Sequence, residues 1–492
     1  MLRSIFLIFV SIFVFENLTA QTKVPGLAIK KFAADTVLKV IDEVTRELSI
    51  KHPGFYRYHS KADFNQYIDS VKTTVKDSLT ELEAYLRLKP IISYVDCIHT
   101  GLSLPQEYKD YLNQMPNLFP FQIYCIGSRA FVFRNHSACK SIAAGDEIIS
   151  INGQGMDHII PKLLRLIPSD GYNLTRKYRA LYFQFPGWYR NIDLKESFRV
   201  VVNQFGKEQT YQLEGNFFKD IAEEGFLIEP RRTKQLEFKV ENKIGYLTIH
   251  SFSKTEIKKC NQDFKNFIDL AFAQLKTMNV ENLVVDLRDN TGGSDPFAAY
   301  FTSYFFDNPF RYWDRIEVTQ AVAEEIRGAV LKLYYRKPVQ RDSIWHWQKA
   351  RHSDEFNFYE EQKPARNNYK GKVYLLINGF CMSSCADVIA ILSYNKKATL
   401  IGQETGGGYQ GNNSGMIPDS QVKPFDFILS VPLQKYVNHV DRSKNIGRGT
   451  MPDFGINWSI EDLLKGEDLE LNLANELIGR LKNATVQRFQ RP

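Results

Sequence analysis

Ser383 lies in "NGFCMSSCADVIA" (residues 378–390), where two adjacent serines sit between two cysteines, directly after the apolar run "VYLLI". A serine at the start of a helix has two uses. It can cap the helix by accepting from a free backbone N–H. It can also attack a carbonyl, with the helix N–H groups and the positive end of the dipole stabilising the oxyanion. The Ser384 N–H would then be one oxyanion donor. A second stretch, "DLRDNTGG" (286–293), ends an apolar run on Gly292 and Gly293. Such glycines let backbone approach a ligand and aim N–H groups at it; a tight turn needing positive φ would use the same pair. A third, "GQETGGGYQGNNSG" (402–415), holds six glycines. No Gly-Lys-Ser/Thr follows it and no helix begins after it, so it is not a phosphate loop.

A serine nucleophile needs a base. Among nine histidines, His99 in "SYVDCIHTGLSL" stands out, because a short polar break from Asp96 to Thr100 interrupts apolar residues at the end of a helical pattern. The alternative is a surface or capping histidine. That is the reading for His52, His59 and His352, which sit in polar segments.

The elements that must position these residues follow from periodicity. Residues 28–115 read as helices, with apolar residues three and four apart in "DTVLKVIDEVTREL" and "FNQYIDSVKTTV". Residues 116–210 read as short alternating strands, including "FQIYCIG", "GDEIISINGQ" and "FRVVVN", and so as a small β-rich module. From about 235 strands and helices alternate. "KIGYLTIHSF", "NLVVDLR", "KVYLLING" and "ATLIG" are strands, the second of the buried parallel type. Helices follow from Phe264, from Asp295 and from the serine pair, and a terminal helix closes the chain. This is an α/β layered core, whose sites form at the carboxyl ends of the strands. A polar, aromatic-studded insertion occupies 335–370.

With 492 residues the chain exceeds a single compact core. A net charge of +7 without any block of cations gives no indication of nucleic acid. The first twenty residues, "MLRSIFLIFVSIFVFENLTA", read as a secretory signal peptide cleaved between Ala20 and Gln21. The apolar run is too short for a membrane anchor, so the mature protein is expected in the periplasm or outside the cell, with no stable membrane insertion. Six cysteines (97, 125, 139, 260, 381, 385) are too few for a disulfide scaffold, and their spacing carries no metal motif.

Together these stretches resemble the tail-specific, or C-terminal-processing, serine peptidases, and within them the branch that includes the tricorn protease core. The resemblance rests on "DLRDNTGG", "NGFCMSSCAD", "GQETGGG", "GRGTMPD" and "KGEDLELNLANELI" in that order, and spans nearly the whole mature chain. It implies a Clp protease/crotonase-like core over 235–482, preceded by an N-terminal helical region (21–115) and a PDZ-like domain (116–210) containing "GDEIISING". It implies Ser383 as nucleophile, with backbone oxyanion donors at Ser384 and at Gly292 or Gly293. One branch takes its base from a lysine in a Gly-Lys-Gly segment, where this chain has Gly406-Gly407-Gly408. The other takes a histidine from the N-terminal region in a context like "VDCIHTGL", which implies His99. An imidazole suits that task near neutral pH.

The chain departs from the family pattern at Asp387, where glutamate is usual, and at Ile98, where tricorn-like enzymes carry a second serine. For the acid that orients His99, Glu404 and Asp441 are the candidates. Two functions follow. One is an exported serine endopeptidase acting on peptides or proteins, needing no metal or cofactor, with the PDZ-like module binding extended peptide by strand addition. The other is a catalytically silent peptide-binding scaffold on the same fold. A crotonase-like acyl-CoA enzyme shares the core, but its substrate is intracellular and the export signal disfavours it.

Overall fold

Asp286, Ile377 and Gly402 end three neighbouring parallel strands of a six-stranded sheet in the computed structural model, which describes residues 30–224, 226–228, 232–326, 335–349 and 360–489. Residues 1–20, expected to be a signal peptide, and His352 lie outside the described residues. The sheet runs Leu236–Glu241, Ile244–Ile249, Asn282–Asp286, Lys372–Ile377, Thr399–Gly402, Phe454–Gly455. Its first pair is antiparallel and the rest are parallel.

Both faces of this sheet are covered, which is why its strands are apolar at consecutive positions. Leu283, Val285, Leu375 and Ile377 point into the main core, while Val284, Tyr374, Leu376 and Ile401 pack on Ala474 and Ile478 of the terminal helix Leu469–Phe489. The helix Phe264–Thr277 buries Phe264, Ile268, Ala271, Phe272 and Leu275, spaced three and four apart as one face requires. The chain end holds two helices rather than one, because Gly466, at φ 69°, stops Ile460–Lys465 before the terminal helix begins.

The N-terminal helices Ala34–Lys51, Lys61–Lys72, Glu81–Ser93 and Gln106–Asn113 share one continuous core with the sheet region. The short strand Gly101–Ser103 pairs with Phe427–Ser430, Leu102 opposite Leu429. That pairing ties the chain next to His99 to the far half of the protein.

The middle module has its own core around Phe119, Phe121, Phe185, Tyr189 and Phe198. Five strands between Phe121 and Glu214 form an antiparallel sheet, joined by a short sixth, with Phe121–Ile126 at its edge. It is less purely β than its sequence reads, since helices Met156–Leu164 and Thr175–Ile192 pack on the sheet. Pro161 and Pro186 interrupt both helical patterns, and Gln184 leaves helical geometry at φ −137°, ψ 21°. In the 335–370 insertion, the hairpin Val339–Arg341/Ile344–His346 extends a second sheet through Trp313–Val318. All six cysteines are free thiols. Among the described residues no helix is long and apolar enough to cross a membrane.

Candidate active site

The strand Lys372–Ile377 and the helix Ser384–Tyr394 are joined by a turn built on Asn378. The Asn378 Oδ1 accepts from the Phe380 N–H (3.0 Å) and the Asp289 N–H (3.1 Å), and its Nδ2 donates to Asp289 Oδ1 (3.0 Å). An Asn side chain that closes its own turn is ordinary turn chemistry. Here it also locks the turn to the end of the neighbouring strand.

Ser383 occupies φ 51°, ψ −134°, a backbone conformation that L residues rarely adopt and that persists only when its surroundings impose it. It stands at the helix N-cap position, yet its side chain makes no capping hydrogen bond. The two serines differ in access. Ser383 is partly exposed, whereas Ser384 is buried and its Oγ has no partner. The Ser384 N–H is the first of the helix and donates to no atom of the described residues.

The turn after Asp286 meets this elbow directly. Asn290 is fully buried; its Nδ2 donates to the Ile249 carbonyl (2.8 Å) and its carbonyl accepts from the Met382 N–H (3.2 Å). A Cβ placed on Gly292 would lie 2.7 Å from Ser383 Cβ and 3.0 Å from the Ser384 nitrogen, so only glycine fits there. The Gly292 N–H is already committed to Asn290 Oδ1 (2.9 Å). The Gly293 N–H donates to no atom of the described residues.

The glycine-rich loop packs on the other side of the elbow. The Gly407 N–H donates to the Cys381 carbonyl (3.0 Å), and a Cβ on Gly407 would meet Ala386 Cβ at 2.5 Å and the Ser383 nitrogen at 3.1 Å. One residue on, the Gly408 N–H donates to Asp170 Oδ2 (3.2 Å), and Asp170 Oδ1 accepts from the Ile98 N–H (3.0 Å). These bonds connect Ser383, through Gly407, Gly408 and Asp170, to the turn that carries His99.

His99 is half-buried, and its Nδ1 is buried without a hydrogen-bond partner. Burial lowers its pKa from the usual imidazole value. The Asp170 carboxylate and the Asn413 carbonyl oppose that, and Arg176 adds to it. The ring is therefore neutral at neutral pH. Asp170 is itself fully buried, and burial raises its pKa against the pull of His99 and two backbone N–H groups.

The two acids expected beside His99 are otherwise engaged. Glu404 forms a two-pronged ion pair with Arg448 (2.9 and 2.5 Å) and accepts the Gly449 N–H (2.8 Å). Asp441 is partly exposed and holds its own turn through the Ser443 N–H and Oγ. The carboxylate whose charge raises the His99 pKa is Asp170, bonded to the neighbouring Ile98 N–H, in a Pro-Ser-Asp-Gly run that reads in sequence as a common turn. Two other histidines also depart from their polar surroundings. His52 is buried: its Nδ1 accepts the Gly54 N–H (3.1 Å), its Nε2 bonds Thr100 Oγ1 (3.0 Å), and burial pushes its pKa down to about 3. His59 pairs with Asp96 (2.8 Å) and stacks on Tyr94.

Residues 243–456 match the family model described as peptidase family S41. The fold is also that of mature CPAF. Its complex with lactacystin superimposes at TM-score 0.59 with 13% identity, covering 92% of this chain and 98% of that one. A second structure of mature CPAF gives TM-score 0.56 and 12% identity over 88% and 94%. No curated protein matches the chain in sequence. The family match falls on the segment that holds the strand ends, the elbow and the glycine loops: residues 243–456 form a domain of peptidase family S41, the tail-specific serine-type peptidases.

Proposed function

We propose that the protein is an exported serine endopeptidase in which Ser383 attacks the peptide carbonyl and His99 serves as general base. The observation that carries this is the strained Ser383 backbone, wedged between Gly292 and Gly407, beside an unused helix N–H at Ser384. His99 takes the Ser383 proton as the Oγ–C bond forms. The Ser384 and Gly293 N–H groups hold the oxyanion, and Gly292 supplies the close approach rather than a donor. His99 returns the proton to the leaving amine as the C–N bond breaks. Water then hydrolyses the acyl-enzyme with His99 again as base. Asp170 stabilises the imidazolium formed in each half-reaction. A histidine base of the tricorn-like kind fits a loop that offers three glycines and no lysine at 406–408.

Substrate is expected to enter along the edge strand Phe121–Ile126 of the PDZ-like module. A cavity of about 510 Å³ runs from Tyr124 and Ile126, past Tyr178 and Arg179, to Asp289 and Asn378 at the elbow. An edge strand facing such a cavity suits strand addition by an extended peptide. Residues 1–20 supply the export signal in this reading.

A fluorophosphonate probe tests the assignment. It should label the wild-type protein, fail on Ser383→Ala and label His99→Ala weakly. Undiminished labelling of Ser383→Ala would overturn it.

A further inference from the structure

A second cleft, of about 610 Å³, lies between the N-terminal helices and the carboxyl end of the Thr175–Ile192 helix, away from the elbow. Leu104, Leu112, Leu118 and Phe218 give it an apolar wall. Its charged lining residues are Lys109 and Arg190, and among the described residues no aspartate or glutamate lines it. Arg190 Nη1 donates to Asn113 Oδ1 (2.8 Å), while its Nε is buried without a partner. The Trp188 Nε1, in the same lining, is also buried without a partner. Burial pushes the Arg190 guanidinium down to about 10, and no carboxylate of the described residues acts on it. Behind Trp188, the Lys89 ammonium sits 5.9 Å from the indole ring centroid and donates to the Leu102 carbonyl (3.2 Å).

A guanidinium withdrawn from water is ordinarily matched by a carboxylate, and a buried donor by an acceptor. Here neither is supplied by the described residues, and the unmatched donors share a cleft with aliphatic side chains. We propose that this cleft binds a free aliphatic carboxylic acid, its chain on Leu104, Leu112, Leu118 and Phe218 and its carboxylate on Arg190 and Trp188. The alkyl chain matches the wall, and the carboxylate matches both the charge and the two unused N–H groups. A free phosphate would meet the cations but leave the apolar wall wet. This site does not depend on the role given to Ser383.

Calorimetric titration of the full chain with decanoate, decanol and trileucine tests it. Decanoate should bind saturably and decanol about tenfold or more weaker, the loss expected for a charge-assisted bond. Arg190→Gln should lower decanoate affinity by a similar factor and leave decanol unchanged. Trp188→Phe, which removes the indole N–H together with the five-membered ring that carries it, should weaken decanoate more than decanol and serves where Arg190→Gln does not fold. Equal binding of acid and alcohol, unchanged affinity in both variants, tighter binding of trileucine, or no saturable decanoate binding would each overturn the proposal.

Discussion

The α-carbon of Gly292 is packed so tightly on Ser383 that an added methyl would lie 2.7 Å from the Ser383 Cβ and 2.8 Å from the Met382 carbonyl oxygen. Gly292 also sits at φ 98°, which an L side chain tolerates poorly. Gly292→Ala must therefore push the elbow away from the strand-end turn. Overpacking and strain of this kind cost about 1–3 kcal/mol. The displaced oxyanion donors should lower kcat by about 10²-fold or more. Urea unfolding together with peptide hydrolysis measures both, and a variant with wild-type kcat and stability would contradict the geometry.

The pH profile follows from the environment of His99. Its pKa is lowered by burial, and the base must be neutral to accept a proton. The acid limb of kcat/KM should accordingly lie below the ordinary imidazole value of about 6.5. Asp170 holds that pKa up, so Asp170→Asn should shift the limb further toward acid while lowering kcat by about 10²-fold or more. A limb above the ordinary value, or one unmoved in Asp170→Asn, would remove Asp170 and His99 from the proton transfer.

The parts of this site written in backbone were legible in the sequence, and the parts made by distant side chains were not. Gly292 and Ser383 announce themselves, because only particular residue types fit a close approach and a strand-to-helix elbow. The buried strand Asn282–Asp286 was readable for the same reason, since a sheet covered on both faces needs a continuous apolar run. Asp170 gave no signal. It lies more than seventy positions from His99 and meets that turn through the Ile98 N–H, with the Gly408 N–H of the glycine loop on its other oxygen. Glu404 looked better placed in sequence, but Arg448 holds its carboxylate. His52 misled through its neighbours: a polar segment surrounds a ring that is itself buried under the His99 turn.

Arg179 links the middle module to the strand-end turn. Its Nε and Nη2 donate to the two oxygens of Asp289 (2.9 and 2.7 Å), and Asp289 in turn bonds Asn378 of the elbow. Arg179→Ala leaves a largely buried carboxylate beside the turn, and breaking such a pair costs about 1–3 kcal/mol when it is partly solvated. Because Asp289 braces the turn, kcat should fall together with stability, by about tenfold. Loss of stability with unchanged kcat would make the pair purely structural.

Asp387, in the first turn of the helix Ser384–Tyr394, sets a pH dependence of folding that is separate from catalysis. Its carboxylate is buried and accepts from Asn438 Nδ2 (3.0 Å), Asn412 Nδ2 (3.2 Å) and the Trp313 side chain. Burial nevertheless pushes its pKa up to about 7, and the charge of Asp170 adds to the rise. In the unfolded chain the same group titrates near 3.9. Between those values the native state holds a proton that the unfolded state has released, so stability from this group is full at acid pH and falls as pH rises toward 7. The loss amounts to roughly 4 kcal/mol at most, at 1.36 kcal/mol per pKa unit. Asp387→Asn is neutral throughout and nearly isosteric with the protonated acid. The stability of wild type relative to this variant should therefore decline in urea unfolding from about pH 4.5 to 7, where the two states differ in protons, and level off above that. A constant difference would mean that Asp387 is ionised at every pH in the folded protein. The site would then hold two carboxylate charges, on Asp387 and Asp170, and the electrostatic account of His99 would have to include both.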